Sequence, residues 1–311
     1  MRRLLSAILV AFMCLLTVSV GIAETRYDEV FDTSQDAGML TARFLSLLSP
    51  DGEKSGDATI LISPDGKVMV LDAGEPECAG QVVDALKALG INRIDYLVAS
   101  HPHVDHIGSF ARLMQEFTVE AVYTSHVAYP TSHVAAYEAE IQKQGIPHFF
   151  LAEGDTFSFG EHVTAEVFHP TDEITYYEGY PENSTQFVND LSLLIRFAYQ
   201  DSSMLFGGDL YTTIERSIVE KYGQRLKSDV FKVGHHGAAT SSAKPYRDAI
   251  SPKIAVMMSH GLSDLGIYQK YRKAGTETYI TYFDGSISVS TPGDGTYKVV
   301  TEKDRATDFL N

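Results

Sequence analysis

The segment "LVASHPHVDHIGSF", Leu97 to Phe110, packs three histidines and an aspartate into the six residues His101–His106 of a chain that has only 11 histidines. Neutral imidazole and carboxylate are the donors that zinc and other first-row divalent ions prefer. His101 and His103 are two apart, so on an extended segment they face the same side. Asp105 and His106 follow where the chain must bend into a helix beginning near Ile107. Four potential donors in six residues can serve two ions with two donors each, and the remaining donors must then arrive from other strand ends.

Two other places have the required form, an apolar strand that stops at Asp or His beside glycine. Asp209 closes "SMLFGGDL", where two glycines let the backbone approach something closely, and His235 and His236 close "DVFKVGHHG". Asn189 and Asp190 sit in "FVNDLSLLI", ahead of a strand. A lone histidine would be read as a satisfied core or surface group. The convergence of "HPHVDH", "GGD" and "GHHG" at strand ends is read as a metal centre.

The elements that must position these residues follow from hydrophobic periodicity. "ATILISPDGKVMVLDAG" reads as a hairpin over Ile60–Leu71 turning at Ser63–Gly66. "GQVVDALKALG" reads as a helix with Val82, Val83, Leu86 and Leu89 on one face and Gly90 at its C-cap. "IDYLVAS" is a short buried strand delivering the histidines, "IGSFARLMQEF" a helix and "VEAVYTS" the next strand. In the second half "AEVFHP", "LSLLIRFAY", "SMLFGGD", "SDVFKVGHHG", "KIAVMMSHG", "ETYITY" and "GSISVST" read as strands, with helices at "TTIERSIVEKYG" and "AKPYRDAI". Two mixed halves of this kind predict an α/β domain with two packed sheets and helices outside.

Composition sets the class. The 311 residues are 44% hydrophobic and 21% charged, ordinary for a globular chain. Residues 1–23 have the layout of a secretory signal peptide: Arg2 and Arg3, an apolar run to about Val20, then small residues at Gly21 and Ala23. The competing reading is a retained anchor, since Leu4–Val20 is near the lower limit for a span. Cleavage after Ala23 removes two arginines and no acid, so the formal charge moves from −16 to −18 over 288 residues. Cys14 leaves with that segment and Cys78 remains alone, which precludes an intramolecular disulfide. The expected location is secreted or cell-envelope, with no stable span once the signal is removed. The acidic balance disfavours a phosphate-tracking surface for long nucleic acid. Lys227, Lys232, Lys244, Arg247 and Lys253 offer some positive charge near the second histidine pair and are read as solvated surface groups.

"HPHVDHIGS" resembles the His-x-His-x-Asp-His signature of the metallo-β-lactamase superfamily, and the likeness extends from about Thr41 to Val300. Together with "SGDATILI", "VMVLDAG", "NDLSLLI", "LFGGD" and "DVFKVGHHGAATSS", the chain is most similar to the group containing the hydrolase domain of the DNA-uptake competence channel, with bacterial surface phosphorylcholine esterases as relatives. That resemblance implies a single-domain, four-layer αββα sandwich over 41–301, preceded by a lead-in at 24–40 and followed by a polar tail at 302–311. It implies two divalent ions, zinc foremost and manganese as the alternative. His101 and His103 would hold the first ion, Asp105 and His106 the second, and Asp209 would bridge them. One of His235 and His236 would complete the second site, with His235 preferred, and the other would face substrate. Asn189 stands where many members carry a histidine; His169 and His260 are candidate substitutes or pocket residues, and Asp72 a support for a ligand.

The expected function is an exported two-metal hydrolase, with Asp105, Asp209 and His236 as catalytic groups, acting on a small or cell-surface phosphoester. Competing expectations are a β-lactam or lactone hydrolase, an extracellular nuclease, and a non-catalytic binding protein. Tyr176, Tyr177 and Tyr180 fall in a loop expected beside the metals, where they could pack on a cationic head group or simply cover apolar surface.

Overall fold

The computed structural model describes residues 26–50, 52, 55–174, 181, 184–259, 261 and 265–305. The expected signal segment, the tyrosines 176, 177 and 180, His260 and residues 306–311 of the tail lie outside the described residues. Among the described residues no helix is long and apolar enough to cross a membrane.

Two large sheets form the frame. The first has eight strands in the spatial order Lys298–Thr301, Ile287–Thr291, Leu40–Phe44, Ala58–Ile62, Val68–Ala73, Tyr96–Val98, Val122–Thr124, His148–Phe150. The second has seven, in the order Glu277–Ile280, Ile254–Met257, Val230–Lys232, Ser202–Phe206, Leu194–Tyr199, Val163–His169, Thr156–Phe159. Arg93–Ile94 and Thr118–Val119 make a short parallel pair beside them.

Alternation along single strands shows four layers. Leu61, Met69 and Leu71 point between the sheets, where they meet Val167, Phe197, Phe206 and Val256. Their neighbours Ile60, Ile62, Val68 and Val70 point the other way, onto Val82, Val83 and Leu86 of the helix Ala79–Ala88. In the second sheet Leu205, Phe231 and Ala255 face outward onto Ile214 and Ile218 of Thr212–Tyr222 and Tyr246 of Lys244–Ile250. Strands covered on both faces bury every residue, which is why Ala58–Ile62 and Val68–Ala73 read as unbroken apolar runs. The result is an αββα sandwich.

Some elements differ from expectation. "ETYITY" is a strand only through Ile280; Thr281–Asp284 turns into a short helix, where Asp284 Oδ2 accepts the Ile280 amide at 2.6 Å. The helix expected after the histidine cluster is two, Val104–Ile107 and Phe110–Glu116. The 13-residue helix Ser132–Gln144 buries only Val134, Tyr137, Glu140 and Ile141, too sparse an apolar stripe to announce itself. Ahead of the first strand, Val30 and Phe31 pack into the core beside the helix Ala79–Ala88, so part of the lead-in is structurally joined to the domain.

What matters for the site is strand direction. In the first sheet Val68–Ala73, Tyr96–Val98, Val122–Thr124 and His148–Phe150 run parallel. In the second, Ser202–Phe206, Val230–Lys232, Ile254–Met257 and Glu277–Ile280 do the same. Parallel strands collect their C-terminal ends on one edge, the usual place for a ligand in such sheets. Asp72, His101, Asp209 and His235–His236 all lie at or just beyond these ends.

Gly56 is where the loop carrying Asp105 meets the segment entering Ala58–Ile62. Its φ is +78°, and an added Cβ would lie 1.8 Å from the Asp105 carbonyl oxygen. The Asp57 amide donates to that same oxygen at 3.0 Å. Gly56→Ala is therefore expected to cost about 3 kcal/mol or more, from backbone strain plus overpacking, read as a lowered denaturation midpoint.

Candidate metal centre

The strand Tyr96–Val98 hands the chain to Ser100, which the side chain of Asp72 captures. Asp72 Oδ1 accepts the Ser100 amide and Oδ2 the Ser100 hydroxyl, each at 2.7 Å. Ser100 Oγ in turn lies 3.1 Å from His101 Nδ1, leaving His101 Nε2 to face His103 Nδ1 at 3.0 Å. Two imidazole nitrogens thus converge on one point. His101 is buried, and burial, with His106 nearby, holds it well below the ordinary histidine range, hence neutral as a ligand must be.

The helical turn Val104–Ile107 then swings Asp105 and His106 toward the second sheet. His106 Nε2 and His236 Nε2 each lie 3.3 Å from Asp209 Oδ2. Asp105 Oδ2 is 3.3 Å from His236 Nε2 and 4.0 Å from His106 Nε2. Donors held tetrahedrally at zinc-ligand distances would be about 3.3–3.6 Å from one another, close to this spacing. Each ring is also oriented from behind by a buried carboxylate. His106 Nδ1 is 2.8 Å from Asp72 Oδ2, and His236 Nδ1 is 2.9 Å from Asp57 Oδ1. Carboxylates behind histidines in this way set ring tautomer and direction in metal sites.

Of the two adjacent histidines it is His236, not the preferred His235, that the structure brings among the carboxylates. Both residues have left-handed backbone, φ 47° and 52°, and the tight turn sends the two rings apart. His236 goes inward to the carboxylates. His235 Nε2 stays 3.9 Å from Asp209 Oδ2, its ring stacked on Tyr211 at 5.0 Å and its Nδ1 against Thr240 Oγ1. Burial lowers its pKa. Asp209 itself is fixed by Ser192, whose Oγ accepts its amide at 3.0 Å.

Two members of the cluster carried no site role in the sequence reading. Asp57 belongs to the quoted "SGDATILI", and the glycine-next-to-acid pattern that flagged Asp209 applies to it equally. Because Ala58–Ile62 runs antiparallel to Val68–Ala73, its N-terminal end lies at the metal edge. Asp57 offers an atom within 4.8 Å of donors on His106, Asp209 and His236, but its contacts place it behind His236. Lys232, expected as a solvated surface group, is 3% exposed. Its ammonium pairs with Asp57 Oδ2, donates to the Gly208 carbonyl at 3.1 Å and lies 3.6 Å from Asp209 Oδ1. A charged residue inside the apolar run "DVFKVG" was the available signal.

A cavity of about 350 Å³ opens over the cluster, walled by His103, Asp105, Asn189, Asp209 and His235 with Glu75, Tyr129, Thr131, His133 and Thr185. Imidazole and carboxylate donors gathered at this spacing beneath a cavity fit a divalent-cation site.

A sequence profile described as the metallo-β-lactamase superfamily matches residues 52–261. The chain belongs to the metallo-β-lactamase superfamily. It is 27% identical over 202 residues to competence protein ComA of Neisseria gonorrhoeae, covering 65% of this chain and 25% of that protein. Against ComE operon protein 3 of Bacillus subtilis (strain 168) it is 24% identical over 178 residues, covering 57% of this chain and 21% of that one. The chain thus matches a quarter or less of the length of either relative. The crystal structure of the metallo-β-lactamase fold protein YhfI from Bacillus subtilis superposes with a TM-score of 0.50 at 12% identity, over 78% of this chain and 96% of that one. The expected fold and the likeness to the competence group both stand.

Within this superfamily site the remaining candidates separate. Asn189, at the end of the helix Thr185–Asn189, lines the cavity beside His103. His169 is not brought to the cluster: its Nε2 donates to the Asp190 carbonyl at 2.7 Å, and it walls a separate cavity with Glu153 and Lys221. Burial lowers its pKa to about 4. Lys227 and Lys253 flank the N-terminal ends of Val230–Lys232 and Ile254–Met257, the edge opposite the metals. They form no strip beside the site.

Burial disfavours charge on His106, yet Asp209, Asp72 and Asp105 outweigh it and raise its pKa well above the ordinary value. His236 is likewise disfavoured by burial and raised by Asp209 and Asp57. In the cation-free protein both rings therefore carry protons at neutral pH, and a bound cation must displace them. Cation affinity should rise with pH by about tenfold per unit for each proton displaced, measured by competition with a zinc indicator between about pH 6 and about pH 8.

Proposed function

We propose that this protein is an exported hydrolase that uses two divalent ions to cleave phosphodiesters of small or cell-surface molecules. The observation that carries the reading is the arrangement of Asp105, His106, Asp209 and His236 with mutual contacts of 3.3–4.0 Å beneath an open cavity. In this reading they hold one ion, and His101 and His103, with Asn189 close by, hold the other. Zinc suits the imidazole-rich donor set, with manganese as the alternative. Divalent ions at such a site supply Lewis acidity and lower the pKa of water.

The chain's own residues account for the rest. Asp72 and Asp57 keep His106 and His236 oriented. His235, turned to the cavity wall and steadied by Tyr211 and Thr240, is the group that donates a hydrogen bond to a phosphate oxygen. A Thr240 hydroxyl that donates to Nδ1 would leave the imidazole proton on Nε2, on the cavity side. Tyr129, Thr131 and Thr185 add hydroxyl donors around it. Export rests on the N-terminal pattern of residues 1–23. A nuclease reading draws on the likeness to competence proteins, while the position of Lys227 and Lys253 at the far edge and the burial of Lys232 favour the smaller substrate.

The purified protein loaded with zinc or manganese should hydrolyse bis-p-nitrophenyl phosphate, lose the activity to a chelator, and lose it in Asp209→Ala. Absence of turnover from protein shown to carry two ions per chain would sink the phosphodiester reading. Nicking of supercoiled plasmid at a comparable rate would move the nuclease ahead. His235→Ala should retain metal and lower kcat on the order of a hundredfold, whereas His236→Ala should lose metal; the reverse pattern in metal analysis would restore His235 as the ligand.

A further inference from the structure

The metal edge buries more negative charge than its histidines alone would be expected to balance. Asp57, Asp72, Asp105 and Asp209 are each 8% exposed or less. One cation is built in among them. Lys232 is the last residue of the strand Val230–Lys232, and its ammonium reaches Asp57 ahead of Ala58–Ile62 and the Gly208–Asp209 segment after Ser202–Phe206. It pairs with Asp57 Oδ2 on one side; on the other it donates to the Gly208 carbonyl at 3.1 Å and stands 3.6 Å from Asp209 Oδ1. Asp209 is thereby turned so that Oδ1 faces the ammonium and Oδ2 faces His106 and His236, 3.3 Å from each. Asp57 is turned the same way, Oδ2 to Lys232 and Oδ1 to His236 at 2.9 Å.

We propose that Lys232 is a positioning residue, an internal counter-ion that holds Asp209 turned toward the metal site and Asp57 turned toward His236 before any metal arrives. The ammonium acts as a resident cation in the cation-free protein: it offsets two carboxylates that would otherwise repel each other in a medium of low polarity. When divalent ions bind, they supply positive charge of their own and the electrostatic part of its role becomes redundant. A lysine with a purely structural role would matter equally in both forms. This rests on the reading of the cluster as a divalent-cation site.

The test compares full-length mature protein with Lys232→Met, of similar length without the charge, in chelator and with saturating zinc. In chelator the variant should melt on the order of 10 °C below wild type, the scale for stranding a buried charge in a domain this large. With zinc most of that gap should close. An equal gap with and without zinc overturns the proposal, as does no gap in chelator. If Lys232→Met yields no soluble protein, Asp57→Asn/Lys232→Met decides: it removes both charges and leaves an amide oxygen to accept from His236. A soluble double variant supports the counter-ion role, and an insoluble one overturns it. Equilibrium dialysis of wild type against zinc runs alongside. Failure to retain zinc there would defeat the cation-site reading itself, whereas retained zinc with an unchanged gap defeats only the role given to Lys232.

Discussion

Four carboxylates within one buried edge repel one another, and almost every local feature of this protein can be understood as a response to that repulsion. An unpaired buried charge is far costlier than the stability of a typical domain can absorb, so each must be met by a donor or a cation. Asp72 receives an amide, a hydroxyl and an imidazole; Asp57 receives an imidazole and an ammonium. Asp105 and Asp209 have imidazoles on their cluster sides. The raised pKa values of His106 and His236, and the depression of Asp209 well below the usual carboxylate range by these rings despite its burial, are the same balance seen from its two sides.

The sandwich makes such a concentration of charge tolerable. Three apolar layers, one between the sheets and one under each set of helices, anchor the strands that carry the ligands. Parallel strands in both sheets end at the same edge, so the ligands enter from the ends of rigid elements. Local backbone then sets direction. Gly208, with φ +51°, lets the chain turn against Ser192 so that Asp209 reaches the cluster. The left-handed pair His235–His236 separates two adjacent rings into one that faces the carboxylates and one that faces the cavity.

The two halves of the site are unequal in kind. One gathers two carboxylates and two imidazoles, each imidazole backed by a further carboxylate. The other has His101 and His103, with the Asn189 amide beside them. Hydroxyl, amide and imidazole groups line much of the cavity above, with Glu75 among them, and the buried carboxylates lie beneath.

Much of this was legible in residue order. The hairpin read over Ile60–Leu71, the helix with Val82, Val83 and Leu86 buried, and the strands leading to Asp209 and His236 follow from periodicity and glycine placement, because covering both faces of a strand demands a continuous apolar run. The cluster His101–Asp105–His106 was visible because its donors are adjacent in sequence. Which ring of "GHHG" turns inward was not, since that depends on backbone dihedrals and on Asp57, 179 residues away from His236. Nor was the burial of Lys232, which depends on two acids brought beside it by separate strands, or the diversion of His169 to the Asp190 carbonyl. Sequence by itself determined the donor types, their strand-end placement and the layered fold, because these are set by local pattern. Only the tertiary structure decided which donors meet and which carboxylate each cation serves, because charge pairing acts over a few ångströms between residues far apart in the chain.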